Sequence, residues 1–169
     1  MGCKISYHME TPDNVKGIAK AFRKKMKRKL MPIKFTKPSR DKPSDVDLVF
    51  ISIVSRSGTD IDAAVSKITD SKPALLVVLH HTFNTEAVMS KSSTCVQKPN
   101  IHTVDCLFYE DKGLLSCKAN DEAYKDAARW LKSYNQRLLI GKASGAEANP
   151  GASAHTEQRS STNKPRKGT

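Results

Sequence analysis

Three histidines stand where they could do chemistry: His80 and His81 close an apolar run, and His8 lies in an alternating stretch near the N-terminus. An imidazole titrates near neutral pH, so each could act as a general base or a metal ligand. Successive side chains of a strand point to opposite faces, so His80 and His81 cannot chelate one ion together without a bend. A catalytic base also needs an acid to orient it, and no motif places the two nearest, Glu86 and Asp105. The loop Ser55-Arg56-Ser57-Gly58-Thr59 offers a second chemistry. It separates an apolar run from an amphipathic one, so its backbone N–H groups would open a helix. Free N–H groups, three hydroxyls and the Arg56 guanidinium together suit a phosphate. The same residues also suit a capped turn, with Ser57 or Thr59 as N-cap and Gly58 at the bend. Neither G-x-G-x-x-G nor a Walker A pattern is present, so a nucleotide is not indicated. The cysteines at 3, 95, 106 and 117 form no C-x-x-C pair, and the last three are spaced evenly by eleven. Zinc sites use close pairs instead, so reduced thiols in a cytosolic or nuclear protein are expected, with no metal, no cofactor and no assigned catalytic residue.

The charge is more informative than the candidate catalysts. The 169 residues carry a net charge of +12, and residues 16–42 hold twelve Lys/Arg against one acid, Asp41. Lys16, Lys20, Arg23, Lys24, Lys27 and Arg28 occupy the polar positions of a predicted helix whose apolar stripe is Val15, Ile18, Ala19, Phe22, Met26 and Leu30. A solvated face kept for solubility normally intersperses acids, and this one does not. Such a patch attracts a nucleic acid, an anionic lipid surface or an acidic protein. Its one aromatic, Phe22, belongs to the buried stripe, which disfavours readout of single-stranded RNA by stacking. Lys24-Lys25-Met26-Lys27 also fits a basic nuclear-import pattern. Met1-Gly2-Cys3-Lys4-Ile5-Ser6 fits an N-acylation signal, with Gly2 myristoylated and Cys3 palmitoylated. A first strand beginning at Cys3 would leave Gly2 without the flexible arm that acylation needs. No apolar run approaches the length of a membrane span. The expected location is cytoplasmic, with nuclear or peripheral-membrane attachment as alternatives.

The elements that must position these residues follow from periodicity. Residues 46–54 and 74–79 are short, continuous apolar runs, the pattern of strands buried on both faces. Residues 3–9 alternate and read as a first strand. Thr11 as N-cap and Pro12 at the first helical position start a helix that runs to about residue 29. Residues 31–35 are a second strand placed near an edge by Pro32. A helix follows over 60–69 with Ile61, Ala64, Val65 and Ile68 inward. One helical turn is expected near residues 85–89. Residues 100–109 form a strand with burial on both sides or a bulge, and residues 114–117 pair back as a hairpin. Asn120-Asp121 caps a last helix reaching about residue 134, with Ala123, Ala127, Trp130, Leu131 and Tyr134 inward. The order β-α-β-β-α-β-β-α predicts a three-layer α/β sandwich with a mostly parallel flavodoxin-like sheet over residues 1–140, followed by a disordered polar tail over 141–169. In a sheet of order 2-1-3-4-5 the ligand crevice lies at the carboxyl ends of the first and third strands.

Three resemblances accompany these patterns. The S-x-S-G stretch at Ser55–Gly58 resembles the phosphate-contacting loop of sugar-isomerase domains, over about five residues. The phrases LLVVLHHTFN (75–84) and HTVDCLFYEDKGLL (102–115) resemble small multi-paralogue fish proteins, some of them thought to be induced in innate immune responses. That likeness implies a binding or regulatory protein and carries no site residues. The element layout also looks like a Toll/interleukin-receptor domain, without its box motifs.

Overall fold

The structure, a computed structural model, describes residues 3–53 and 57–145. Alternation sets the first strand, β1 (Lys4–Glu10): Ile5, Tyr7 and Met9 face the core, while Lys4, His8 and Glu10 face outward and are exposed. A 3-10 turn at Asp13–Val15 leads into α1 (Lys16–Leu30). The expected Thr11 cap does not form. Pro12 occupies the cap position with no side-chain bond, and the Thr11 hydroxyl donates to the Pro12 carbonyl instead. The second strand, β2 (Lys34–Thr36), starts three residues later than the apolar pattern of 31–35 suggests. Its register is set by pairing Lys34 with Lys4 rather than by its own sequence.

The next strand, β3 (Val46–Ile53), passes through residues 54–56, outside the described range, to α2 (Ser57–Lys67). Thus α2 begins at Ser57 rather than at residue 60. Strand β4 (Ala74–His81) is the centre of the sheet, and its first six residues are buried on both faces. Near the expected helical turn at 85–89 the chain makes a single turn, with the Ala87 N–H donating to the Asn84 carbonyl at 3.3 Å, and no helix. The connection turns again at Ser92–Cys95, in a 3-10 helix. Strand β5 (Ile101–Tyr109) runs without a bulge, so its mixed parity reflects burial on both sides. It pairs antiparallel with the two-residue strand β6 (Gly113–Leu114). The last helix, α3 (Lys118–Gly145), starts before and ends well after the expected 120–134, so residues 141–145 are helical rather than tail. The rest of the expected tail lies outside the described residues.

The sheet order is β2-β1-β3-β4-β5-β6, parallel except for β6, which is the flavodoxin-like order with a hairpin added at one edge. Right-handed crossovers place successive helices according to the direction in which the sheet grows. Consequently α1 and α3 share one face, over a core that includes Phe22, Phe50, Tyr124 and Leu131. Helix α2 lies on the other face, over Val49, Leu76 and Val78. No helix follows β2, so the outward side of β1 and β2 at that edge is polar, and Ser6 is tied there to Asp45. Among the described residues, no helix is long and apolar enough to cross a membrane.

Candidate functional site

The positive surface is built on α1. The helix buries Ala19, Phe22, Met26 and Leu30, which fixes its rotation about its own axis. At roughly 100° per residue, Lys16, Lys20, Lys24, Lys27 and Arg28 then fall within an arc of roughly 120° on the opposite side. All five are exposed. Lys16 pairs with Asp13, whereas Lys20, Lys24, Lys27 and Arg28 have no ion pair among the described residues. Arg23, expected in the same patch, does not belong to it. It is half-buried at the flank of the helix, and its Nη1 donates to the Tyr7 hydroxyl at 3.2 Å. Lys25 also turns away, with its ammonium 5.0 Å from the centre of the Tyr124 ring.

The strand-end residues are not brought together. Ser55 and Arg56 lie outside the described residues, and Gly58 and Thr59 fall in the first turn of α2. A groove of about 270 Å³ does lie beside the end of β1, lined by Glu10, Thr11, Val49, Ile51 and Lys67 among others. None of the three candidate histidines lines it. His8 sits exposed on the open side of β1. His81 faces the α1/α3 side, with its ring 5.3 Å from those of Phe108 and Tyr109. His80 faces the α2 side.

His80 does find an acid, although no motif announced it. Its Nε2 lies 2.8 Å from Asp105 Oδ1, across the β4–β5 pairing. The same carboxylate accepts the Ser92 hydroxyl at Oδ1 and the Ser92 backbone N–H at Oδ2, 3.1 Å away. A cavity of about 330 Å³ beside this cluster is lined by His80, Ser92, Cys95, Met89 and Leu107 among others. The order of partners decides the chemistry. A nucleophilic dyad needs the hydroxyl on the imidazole, with the acid behind the ring. Here the Ser92 hydroxyl is spent on the carboxylate, so Asp105 pins the 3-10 turn to the sheet and no Ser–His nucleophile forms. The available sequence signal was an acid at Asp105 sharing strand parity with Ile101, Thr103 and Leu107.

The cysteines are all free. Cys106 is buried, and burial pushes its thiol well above the ordinary range, with the neighbouring Asp105 charge adding to the effect. Cys95 is exposed on the 3-10 turn, and Cys3 is half-buried where its carbonyl accepts the Lys34 N–H. Gly2 lies outside the described residues. A thiolate is the reactive form, so iodoacetamide at pH 8 should modify Cys95 at least a hundredfold faster than Cys106 in the folded protein. Peptide mapping after timed quenching reads this directly, and equal labelling of the two would show that β5 is not buried as described. Among the described residues, no group of three metal-ligating side chains converges. Comparison of the chain with protein-family models, with curated proteins and with solved structures finds no match.

Proposed function

We propose that this is a cytoplasmic, non-enzymatic binding or regulatory protein that meets an anionic partner through the exposed stripe of α1. The observation carrying the reading is the four cations Lys20, Lys24, Lys27 and Arg28, exposed on one helix face and without ion-pair partners among the described residues. Stability alone does not call for such a stripe, because like charges at i, i+4 repel by a few tenths of a kcal/mol per pair. A polyanion relieves that repulsion and releases its own counterions on binding. The stripe is convex and holds no aromatic side chain, so it suits contact with charge and shape rather than base readout. His80 and His81 face opposite sides of the sheet and His8 is exposed on β1, which favours binding over catalysis.

Charge reversal tests this. The quadruple variant Lys20→Glu, Lys24→Glu, Lys27→Glu and Arg28→Glu alters only exposed side chains, so it should keep its circular dichroism spectrum and unfolding midpoint. Its affinity for a labelled DNA duplex, a labelled RNA duplex or vesicles containing phosphatidylserine should fall at least a hundredfold for whichever of the three the parent protein binds. Undiminished binding by the folded variant would refute the stripe as the contact surface.

A further inference from the structure

Beyond the α1 stripe, the outer edge of β5 carries a strand-length gap before β6. Strand β6 pairs only with Phe108 and Tyr109. Just before that pairing, the side chain of Asn120 seals Leu107 by accepting from its N–H at 2.7 Å and donating to its carbonyl at 2.8 Å. These bonds show which way β5 points: odd residues direct their backbone groups away from β4. The Phe108 carbonyl confirms the alternation, since it accepts from Thr82 on the β4 side. By the same alternation, Thr103 and Asp105 direct both N–H and C=O outward. The Ile101 N–H is already bonded to Lys98, which closes the far end. No hydrogen bond to the outward backbone groups of Thr103 and Asp105 exists among the described residues.

This gap forms the floor of a cavity of about 510 Å³. Helix α3 makes one wall, where Ala119 and Ala123 are small and Glu122 and Asp126 are acidic. The segment before β5 makes the other, with Met89 and Val96 as its apolar part and Lys91 as its cation. Glu122 is exposed and only loosely paired, 3.9 Å from Lys118, while Asp126 holds His102 at 3.0 Å and Arg129 at 3.5 Å. Thr103 itself is only 8% exposed, and its hydroxyl has no hydrogen-bond partner. Unpaired edge groups invite another strand, and natural sheets normally block them with short strands, charges or covering elements. Here the blocks stand at both ends and leave the middle open.

We propose that this groove receives an extended peptide segment of a partner protein as an added strand on β5. Four or five residues fill the open length, at about 3.3 Å per residue. Alternate side chains of the added strand meet the two walls. One set faces Glu122 and Asp126 and is basic; the other faces Met89 and Val96 and is apolar. The recognised sequence therefore alternates Lys or Arg with Val, Ile or Leu.

The probe is an acetylated, amidated hexapeptide of alternating valine and lysine. The full chain has a net charge of +12, which disfavours non-specific uptake of a cationic peptide. The peptide should shift and protect the backbone amides of Thr103 and Asp105 in 1H–15N spectra. Glu122→Arg, an exposed change that leaves the fold intact, should weaken binding at least tenfold. A peptide N-methylated on alternate residues cannot form the ladder on its methylated edge. N-methylation in the two alternate patterns should abolish binding in one of them only. Absence of binding at millimolar peptide, or equal binding by both methylated patterns, overturns the proposal. Concentration-dependent protection of the same amides in the chain alone also overturns it, because the occupant is then a second copy.

Discussion

Asn120→Ala should cost about 3–5 kcal/mol of folding stability, a loss reserved for broken buried networks. Asn120 has no solvent exposure, and it satisfies three backbone groups: the Leu107 N–H, the Leu107 carbonyl and the Leu115 carbonyl. Leu115 N–H reaches the Leu107 carbonyl as well, so that oxygen keeps one partner after truncation. The Leu107 N–H loses its partner while lying under Leu115 and α3, where an unpaired donor costs about 1–3 kcal/mol. The Leu115 carbonyl loses its amide donor, and a side-chain-sized void adds to the cost. Domains of this size are stable by about 5–15 kcal/mol, so the variant should lose a substantial share of the parent stability. With an m-value of about 2 kcal/mol/M, the urea midpoint should fall by about 2 M. A shift below about 0.5 M would show that these groups find other partners. Asn120→Asp should fare no better, because it keeps the acceptor for Leu107 but removes both amide donors and buries a charge.

Asp105→Ala should produce the second large effect, and a more local one. The carboxylate is the common acceptor for His80 and for both donors of Ser92, which is only 3% exposed. Without it, the Ser92 N–H and hydroxyl are stranded, and the 3-10 turn at Ser92–Cys95 loses its tie to β5. Neighbouring cavities can admit water to part of the gap, which sets the cost at about 2–4 kcal/mol. The connection over residues 82–100 should lose its amide protection in hydrogen exchange by at least a hundredfold. The α1 and α3 amides should keep theirs up to the lowered global limit. Uniform loss across both faces would mean that Asp105 supports the whole core rather than this one turn. Asp105→Asn should cost less than the alanine change, since one oxygen can still accept from Ser92.

The sheet was legible because its strands report their own coverage. The unbroken apolar run of β4 needs protein on both faces, and it has it. The alternation of β1 needs protein on one face only, and the missing helix after β2 leaves the other open. With two buried parallel strands and right-handed crossovers, few strand orders remain, and the observed order is among them. The differences lie where local signals are ambiguous. Asn120-Asp121 ahead of a periodic stretch has the signature of a helix cap, yet Asn120 is inside α3 and caps a strand edge thirteen positions earlier. Only its burial against the sheet distinguishes the two roles, and burial there is a tertiary property. Beyond Asn135, which is buried, the stripe thins to the partly buried Leu138, but Leu, Lys, Arg and Ala propagate a helix already nucleated by packing. Arg23 sits in a polar register like its neighbours, and it is the Tyr7 hydroxyl across the core that draws it in. His80 and Asp105 are 25 positions apart and meet only because β4 and β5 are neighbours.

The most direct measurement of the central claim is the salt dependence of binding between the unmodified chain and a 20-base-pair DNA duplex, followed by fluorescence anisotropy from 25 to 300 mM potassium chloride. Four stripe cations that neutralise four phosphates should give a log–log slope of about −3.6, with the same affinity for unrelated duplex sequences. The RNA duplex or the anionic vesicles replace the DNA if they bind tighter, and affinity should again fall steeply as salt rises. An affinity that stays flat across this range, or an absence of binding to all three polyanions at 25 mM salt, would contradict the assignment of the α1 stripe as a binding surface.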